Sequence, residues 1–380
     1  MPVQDDLHTV ASIFAGYAEH EFRGASPRYE MLARIIAAEP ELGRPLLAAP
    51  VAQRHAILYF AAMQHLVRST DHPLASWLPT MGGYRQPGAA FHQTFRDFAA
   101  GYAEALATIC ASRRTQTNEA GRCALLRPAF SRVAAGPAAG RPLVLIELGT
   151  SAGLLLLPDR YAYRYRAAVG GREEHGGRPD APAPLVLQCE VRGAGWPDDI
   201  AADPAIADRL GIDLEPLDPA DSDAADWLRS CIWPEHTDRL ARLDAALAEA
   251  ARVRPRQIRA DLVDALEPAL AAVASDALPV VFSSNALIYL PPDRLRRLVE
   301  VLARVGARRD LAVVINEASQ TSVRLFAGVA PPPSPALSTG TLTVVAWRGG
   351  TPTLETLGET GAHGGWLSWR PQRWRYDPPG

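Results

Sequence analysis

The apolar run at residues 143–146 constrains the fold of this chain more than any other segment. It contains only branched aliphatic residues, which is typical of a strand buried on both faces of a parallel sheet. Glu147 follows it, and Gly149 and Gly153 then turn the chain, so we expect a strand, a glycine turn and a helix. Parallel strands need long crossover connections, and the segment therefore predicts an α/β fold.

The sequence pattern changes on either side of this run. Upstream, apolar residues recur at helical spacing and no strand is expected. Predicted helices cover residues 7–22, 27–38, 51–68, 91–112 and a segment from Asn118 to about 135. Downstream, strands are predicted at 185–191, 210–214, 257–260, 279–283, 311–316, 341–347 and 366–369, with helices at 238–253 and 292–305.

This alternation predicts two domains. Residues 1–140 form an all-α N-terminal domain, and residues 141–380 form a doubly wound α/β domain that ends in an antiparallel hairpin of the last two strands. Tyr161, Tyr163 and Tyr165 alternate with polar or small residues, which predicts a β-hairpin inserted around 161–192. Four prolines within 331–335 predict a stiff, exposed connection.

Composition excludes several classes of function. Thirty-nine cations against 42 anions give a net charge of −3, which does not favour a nucleic-acid partner. Every cation is arginine, so lysine Schiff-base and P-loop chemistry are excluded. The four cysteines form no CxxC pair, and we expect neither a disulfide framework nor a metal site. Without a signal sequence or a long apolar run, we expect a cytoplasmic protein without membrane contact that acts on a small molecule.

Four segments, in order, resemble the motifs of class I S-adenosylmethionine-dependent methyltransferases. They are the glycine loop after residue 146, the strand that ends at Asp213, the strand followed by Asp261, and the run 280–290. The resemblance implies a Rossmann-like, methyltransferase-type sheet with S-adenosylmethionine as cofactor. It also implies that the cofactor-binding residues are Glu147, Gly149, Thr150, Ser151, Gly153, Asp213, Asp261, Ser284 and Asn285.

Within this resemblance, the acids have separate roles. Glu147 orders the glycine loop, Asp213 accepts hydrogen bonds from both ribose hydroxyls, and Asp261 contacts the adenine amine. A carboxylate suits a vicinal diol because each of its two oxygens is an acceptor. Glu215 and Glu190 are the alternative ribose acids. The loop departs from the fuller pattern because Ser151 stands where a middle glycine is common.

The whole chain also resembles a family of uncharacterised bacterial proteins with a helical N-terminal part and a methyltransferase-like core. The segments that carry this resemblance include residues 116–122, 151–154, 159–161, 211–217, 233–235, 289–291 and 363–364. The resemblance supports the fold and implies no particular substrate.

Four residues are candidates for catalysis on the acceptor side: Asn118, Glu119, Tyr289 and His363. Asn118 and Glu119 lie in a polar segment that leads into the first strand, but they also fit a helix start in which Asn118 is the cap and Arg122 is solvated. His363 lies between glycines, where it could serve as a general base or simply occupy a turn.

Two other functions remain open. Residues 149–153 fit the G-x-S-x-G elbow of α/β-hydrolases, with Ser151 as nucleophile and His363 as base. The helical sequence upstream argues against that fold, because the elbow follows several strands. A non-catalytic cofactor-binding or scaffold protein is the second alternative, since a fold does not guarantee turnover. A nicotinamide Rossmann loop is a poor fit because the G-x-G-x-x-G spacing is missing.

Overall fold

The computed structural model describes residues 2–177, 185–197, 200, 202–329 and 339–378. The chain divides into two compact units: unit 1 comprises Met1–Asn118 and Asp221–Asp244, and unit 2 comprises Glu119–Ala220 and Ala245–Gly380. The predicted boundary near residue 140 differs from this division, because residues 119–140 group with unit 2 and residues 221–244 with unit 1. The proline-rich run at 331–335 lies outside the described residues. No helix in the described ranges is long and apolar enough to span a bilayer.

The α-helices are α1 (Pro2–Tyr17), α2 (Pro27–Ala38), α3 (Ala56–Ser69), α4 (Ala89–Gly101), α5 (Ala103–Ser112), α6 (Cys123–Ala135), α7 (Ser222–Ser230), α8 (Thr237–Val253), α9 (Leu266–Ala271), α10 (Pro292–Gly306) and α11 (Ser319–Ala327). The strands are β1 (Leu143–Leu148), β2 (Ala162–Ala167), β3 (Glu173–Gly177), β4 (Val186–Arg192), β5 (Ile206–Asp213), β6 (Arg256–Arg259), β7 (Leu278–Ser284), β8 (Leu311–Ala318), β9 (Thr339–Arg348), β10 (Thr351–Gly361) and β11 (Trp366–Trp374).

Short 3₁₀ helices lie at Pro40–Ala48, Val51–Gln53, Pro73–Trp77, Pro79–Met81, Ala120–Arg122, Leu154–Leu156 and Leu287–Tyr289, and a π-helical turn at Ala18–Phe22 follows α1. Two predicted helices are divided in the structure. The helix predicted over 51–68 begins as a 3₁₀ turn before α3, and the one over 91–112 is broken at Tyr102 between α4 and α5.

Unit 1 is an all-helical bundle around an aromatic core. The buried side chains of Phe22, Tyr29 and Phe60 contact one another, and Trp233 from the second segment of the unit packs edge-on against Phe22. Gln64 joins the two segments by donating from Nε2 to the Ile232 carbonyl at 2.6 Å. These contacts explain why residues 221–244 are part of this unit.

A charged contact also joins the two segments of unit 1. Ser26 caps α2, and its hydroxyl also donates to Glu235 Oε2 at 2.5 Å. The other oxygen, Oε1, accepts from the Arg28 backbone N–H at 3.0 Å. Glu235 therefore ties the second segment to the first turn of α2, where a carboxylate is favoured by the helix dipole.

Acid is expected to destabilise unit 1 through a histidine cap. The Nδ1 atom of His55 caps α3 by accepting from the Leu58 N–H at 3.2 Å, which requires that nitrogen to be unprotonated. Burial lowers the pKa of His55. The cap therefore makes its full contribution to the stability of the folded state above the pKa of His55 in the unfolded chain, about 6.5. This contribution is lost as the pH falls through the lower pKa of His55 in the folded protein. We expect loss of about 0.5–2 kcal/mol, read as a falling calorimetric melting temperature between pH 7.5 and 5.

The control variants for this prediction are His55→Asn and His8→Asn. Asparagine caps helices without titrating in this range, so His55→Asn should make the dependence on pH shallower. The rest of the dependence should remain, because burial also lowers the pKa of His65, His72 and His236. His8 is exposed on α1, and its replacement should leave the pH dependence as in the wild type. An unchanged slope in His55→Asn would contradict the prediction.

The described residues of unit 2 form one mixed sheet of eleven strands in the order β3-β2-β4-β11-β10-β9-β8-β7-β1-β5-β6. The strands β6, β5, β1, β7 and β8 are parallel to one another, with Glu147 of β1 opposite Gly211 on one side and Phe282 on the other. The predicted inserted hairpin is present as β2 and β3, and it extends the sheet at the edge remote from β1. The structure is therefore a mixed α/β fold with a large, mostly parallel sheet.

Two sequence expectations in unit 2 were wrong. The last two predicted strands do not form a hairpin, because β10 lies between them and pairs antiparallel with both β9 and β11. The helix expected after β1 is only the buried 3₁₀ turn Leu154–Leu156, after which the chain enters the inserted strands. The connection from β1 to β5 therefore contains strands in place of the usual crossover helix.

Each face of the parallel part of the sheet is covered. Ile146, Val281 and Val313 belong to a buried cluster that includes side chains of α9, α10 and α11. Side chains alternate between faces along a strand, so Glu147, Phe282 and Asn316 point to the opposite face. There α6 packs, with Phe130 edge-on to Phe282 at a ring-centroid distance of 5.3 Å.

Candidate functional site

The carboxyl ends of the parallel strands meet where the strand order reverses. From β1, the chain goes on to β5 on one side and, later, to β7 on the other. Open α/β sheets bind ligands outside the strand ends at such a switch point. The loop after β1 (residues 149–153, the first loop), the end of β5 at Asp213 and the turn after β7 (residues 284–289, the β7 turn) therefore define the candidate site.

Glu147 is buried behind the first loop. It is 2% exposed, and its Oε2 accepts from the Thr150 hydroxyl at 2.7 Å. Burial raises the pKa of Glu147 well above its usual value, and the Thr150 hydrogen bond only partly opposes this. Thr150 is itself buried and packs over Gly211 of β5, so a Cβ at Gly211 would lie 2.5 Å from the Thr150 hydroxyl. Glu147 and Thr150 thus order the loop from inside.

Both glycines of the first loop are required by packing within unit 2. Gly149 has φ +80° and Gly153 has φ +73°, a conformation that favours glycine. A Cβ at Gly149 would lie 2.4 Å from the Ala286 methyl of the β7 turn, and one at Gly153 would lie 2.9 Å from Gln257 Nε2. Gly149 therefore allows the first loop and the β7 turn to touch.

Ser151 also has a left-handed backbone, with φ +49°. Its N–H donates to Asp213 Oδ2 at 2.8 Å, and its carbonyl accepts from Gln257 Nε2 at 3.0 Å. The elements that come next after Ser151 are the 3₁₀ turn Leu154–Leu156 and the strand β2, so the strand–turn–helix context of a nucleophile elbow is missing. The local structure does not support the hydrolase hypothesis.

Asp213 ends β5 and is partly exposed. Its Oδ2 accepts from the Ser151 N–H and its Oδ1 from the Glu215 N–H at 2.9 Å. A carboxylate has about four acceptor positions, so these bonds leave each oxygen able to accept another. The alternative acid Glu215 is exposed beside it, whereas Glu190 lies on β4, six strands or about 29 Å from β1.

The β7 turn is fixed by a carboxylate that sequence reasoning missed. Glu317, on β8, is fully buried, and its Oε1 accepts from the Ser283 hydroxyl at 2.9 Å and from the N–H groups of Ala286 and Leu287 at 2.8 and 3.1 Å. Its Oε2 is buried and has no hydrogen-bond partner. The pattern that identified Glu147 and Asp213, an apolar strand ending in an acid, would also have found Glu317.

The remaining residues of the β7 turn have mixed exposure. Ser284 is 8% exposed and its hydroxyl accepts from Asn316 Nδ2 at 3.2 Å. Asn285 is partly exposed with φ +57°, a second non-glycine residue in the left-handed region at this edge. Ile288 and Tyr289 are 53% and 79% exposed. Tyr289, a catalytic candidate, therefore faces solvent at the rim.

Arg122 is a buried cation, which contradicts the helix-start alternative in which it is solvated. It is 6% exposed, and it donates from Nε to the Ala362 carbonyl at 2.9 Å and from Nη1 to the Ser284 carbonyl at 3.2 Å. Burial raises the pKa of both Glu147 and Glu317, and the positive charge of Arg122 opposes the rise at each. Arg122 thus links the β7 turn, the turn after β10 and the two buried acids.

Two of the remaining candidates, Glu119 and His363, lie beside contacts of Arg122, whereas Asn118 belongs to unit 1. Glu119, and not Asn118, is the cap residue: it is 4% exposed and accepts from the Gly121 N–H at 3.2 Å. Asn118 ends the first segment of unit 1, and its buried Nδ2 has no hydrogen-bond partner. His363 is exposed in the turn after β10, which contacts residues 121 and 122 through Gly364 and Ala362.

Asp261 follows β6 and is engaged with neighbouring residues. Its Oδ1 accepts from the Val263 N–H at 2.8 Å, and Arg294 forms an ion pair with it. Partial burial raises its pKa, but the backbone N–H groups of Asp264 and Val263, together with Arg294, outweigh this and lower the pKa. Asp261 is therefore a negative group at the edge of the candidate site.

Comparison with known proteins gives limited matches. No curated protein matches the chain. One solved structure that matches is the CcbJ methyltransferase from Streptomyces caelestis, which is 14% identical over 70% of this chain and 80% of its own, with a TM-score of 0.23. A likeness at this TM-score carries no argument about function. The family described as "Uncharacterized protein conserved in bacteria (DUF2332)" matches residues 11–369, and the chain belongs to this family.

Proposed function

We propose that the protein binds S-adenosylmethionine at the carboxyl edge of the sheet and is a transferase that acts on a small molecule. The observation that carries the proposal is Asp213, a partly exposed carboxylate at the end of β5, hydrogen-bonded to the first loop and with acceptor positions to spare. These free positions suit the two ribose hydroxyls of a nucleoside.

The surrounding residues fit the same ligand. The partly exposed Gly149, Ser151 and Asn285 are proposed to contact it, while Glu147, Thr150, Gly153 and Ser284 are buried and hold the loops in place. Asp261 is proposed to accept from the adenine amine. Glu317 Oε2, which is buried without a hydrogen-bond partner, belongs to β8 behind the β7 turn and is not assigned to the ligand.

In this proposal the protein positions and shields the reacting groups. The sulfonium of S-adenosylmethionine supplies an already activated alkyl group. Asp213 would anchor the ribose, and the first loop and the β7 turn would orient the sulfonium group towards the acceptor. Such positioning accelerates transfer because two groups held in line react like parts of one molecule. Transfer of the methyl group would leave S-adenosylhomocysteine, whereas cyclisation of the aminobutyryl chain would leave 5′-methylthioadenosine. Tyr289 and His363 are the exposed candidates for contact with an acceptor.

Calorimetric titration of the wild-type protein with S-adenosylhomocysteine tests the binding proposal. We expect saturable binding and a melting temperature that rises with ligand concentration, since a ligand that binds only the folded state stabilises it. NADH is the control ligand, because the first loop lacks the nicotinamide fingerprint, and it should give neither effect. No heat and no thermal shift with S-adenosylhomocysteine would overturn the proposal.

Ser151 separates this proposal from the serine-hydrolase alternative. Ser151 has φ +49°, a backbone conformation that costs a non-glycine residue about 1–2 kcal/mol and that glycine adopts freely. Ser151→Gly therefore removes this strain, but the glycine loses more conformational entropy on folding, and the two effects are of similar size. We expect unchanged stability within about 1 kcal/mol and retained ligand affinity. Ala139→Gly is the matched control, because Ala139 is exposed in the turn before β1 and also has a left-handed backbone, with φ +52°. A fluorophosphonate probe should label neither the wild type nor Ser151→Gly. Covalent labelling of wild-type Ser151, abolished in His363→Ala, would establish the hydrolase.

A further inference from the structure

Glu317 holds the β7 turn by a set of converging hydrogen bonds. Three donors, the Ser283 hydroxyl and the N–H groups of Ala286 and Leu287, point at the same oxygen. The carboxyl group is fully buried on β8, a strand whose backbone is itself fixed between β7 and β9. Glu317 therefore anchors the Ala286–Leu287 part of the turn to the interior of the sheet, while Arg122 and Asn316 hold Ser284 at its start.

The anchored residue Ala286 touches the first loop. Its methyl group occupies the space that a Cβ of Gly149 would need, so the positions of Ala286 and Gly149 depend on each other. Gly149 in turn donates its N–H to the Ile212 carbonyl at 2.8 Å, and Ser151, two residues on, donates to Asp213. A continuous chain of contacts thus runs from Glu317 to the carboxylate assigned to the ribose.

We propose that Glu317 is a positioning residue for the cofactor site, which sets the distance between the β7 turn and the first loop from behind. The proposal rests on the proposed function for its ligand-binding consequence. Glu317 itself is too deeply buried to touch a ligand. Its effect is transmitted through Ala286 and Gly149.

Three variants test this role. Glu317→Gln keeps an oxygen that accepts from the two backbone N–H groups, whereas Glu317→Leu removes every acceptor at similar volume. Thr343→Val is the control, because Thr343 is equally buried on β9, opposite Ile315 of β8, and its hydroxyl has no hydrogen-bond partner. Each variant is examined in the full chain by amide hydrogen exchange and by titration with S-adenosylhomocysteine.

We expect Glu317→Leu to accelerate exchange in the peptides that contain Ala286 and Leu287, and also in those that contain residues 149–153, by about tenfold or more. Its dissociation constant should rise by a similar factor. Glu317→Gln should restore both measurements to within about threefold, and Thr343→Val should leave them as in the wild type. Faster exchange in the first loop is the signature that a role confined to the β7 turn would not produce.

Several results would overturn the proposal. One is unchanged hydrogen exchange at residues 149–153 in Glu317→Leu. Another is a Glu317→Gln variant that is as impaired as Glu317→Leu, because this would indicate that the charge of Glu317 matters and not its acceptor oxygen. If Glu317→Leu does not fold, amide hydrogen exchange at Ala286 and Leu287 of the wild type tests the proposal instead. Exchange of these two amides as fast as in an unfolded chain would contradict anchoring by Glu317. A wild type that binds no S-adenosylhomocysteine would refute the proposed function, and the exchange measurements would still decide the role of Glu317.

Discussion

Replacing Arg122 with alanine is expected to cost the folded protein about 3–5 kcal/mol, the range found when one partner of a buried pair of charges is removed. The variant loses the only described cation whose charge lowers the pKa of both Glu147 and Glu317, and it leaves the carbonyls of Ala362 and Ser284 without their guanidinium donor. Calorimetric melting or urea titration of wild type and variant measures the difference.

The sign of the pH dependence makes this prediction specific. Burial raises the pKa of both Glu147 and Glu317 in the folded protein. Their contribution to folding is therefore most favourable below the ordinary pKa of about 4.3, where both are protonated, and it is lost as the pH rises through the raised pKa values. Without Arg122 the two pKa values rise further, so the stability difference between variant and wild type should be larger at pH 8 than at pH 5.

Arg304→Ala provides the matched control for Arg122→Ala. Arg304 pairs with Glu267 at 2.6 Å, but both side chains are partly exposed, at 33% and 44%. Such a pair is worth about 1 kcal/mol or less. If Arg122→Ala were no more destabilising than Arg304→Ala, or if its effect did not change with pH, Arg122 would not be the counter-ion of the buried acids.

Asp213→Ala is expected to weaken binding of S-adenosylhomocysteine by about 10²- to 10⁴-fold, because two hydrogen bonds to a charged acceptor are lost at about 1.5–3 kcal/mol each. The same substitution removes the acceptor of the Ser151 and Glu215 N–H groups, so part of the loss could come from a displaced loop. A ligand variant separates the two causes.

The 2′-deoxy analogue of S-adenosylhomocysteine serves this purpose. If Asp213 accepts from the ribose, the wild type should bind the analogue more weakly than the parent ligand, whereas Asp213→Ala should bind both alike. Glu215→Ala, which removes the exposed neighbouring acid, is the matched control and should behave as the wild type. Equal preference for the parent ligand in Asp213→Ala and wild type would move the ribose site away from Asp213.

Sequence patterns predicted the strands of the parallel core because burial on both faces leaves an unbroken apolar run, as in β1 and β7. They did not predict β10. Its alternation is interrupted at Gly358, where the pairing register shifts against both β9 and β11, and a bulge of this kind destroys the period of two. The helix expected after Gly153 was also wrong, because the four leucines that follow are buried in a 3₁₀ turn and its continuation.

In the candidate site, too, features set by neighbouring residues in the sequence could be predicted, and features set by contacts between distant residues could not. Glu147 and Asp213 could be placed because each lies in the last two residues of a strand, and parallel strand ends share one edge of a sheet. Burial of Arg122 could not be predicted, since a charged residue at a helix start is normally solvated, and its carbonyl partners lie 162 and 240 positions away. Inclusion of residues 221–244 in unit 1 depends in the same way on contacts such as Gln64 with Ile232.

The split of unit 1 along the chain has a consequence for protein synthesis. Residues 1–118 leave the ribosome first, but the side chains that complete their core, among them Trp227 and Trp233, are made only after β1 and β5. At 5–20 residues per second, the incomplete bundle waits roughly 6–25 s for residues up to 244. During that interval Gln64 lacks its carbonyl partners and the aromatic core lacks its cover, so nascent chains stalled before residue 221 should be the ones that bind chaperones and are cut by proteases.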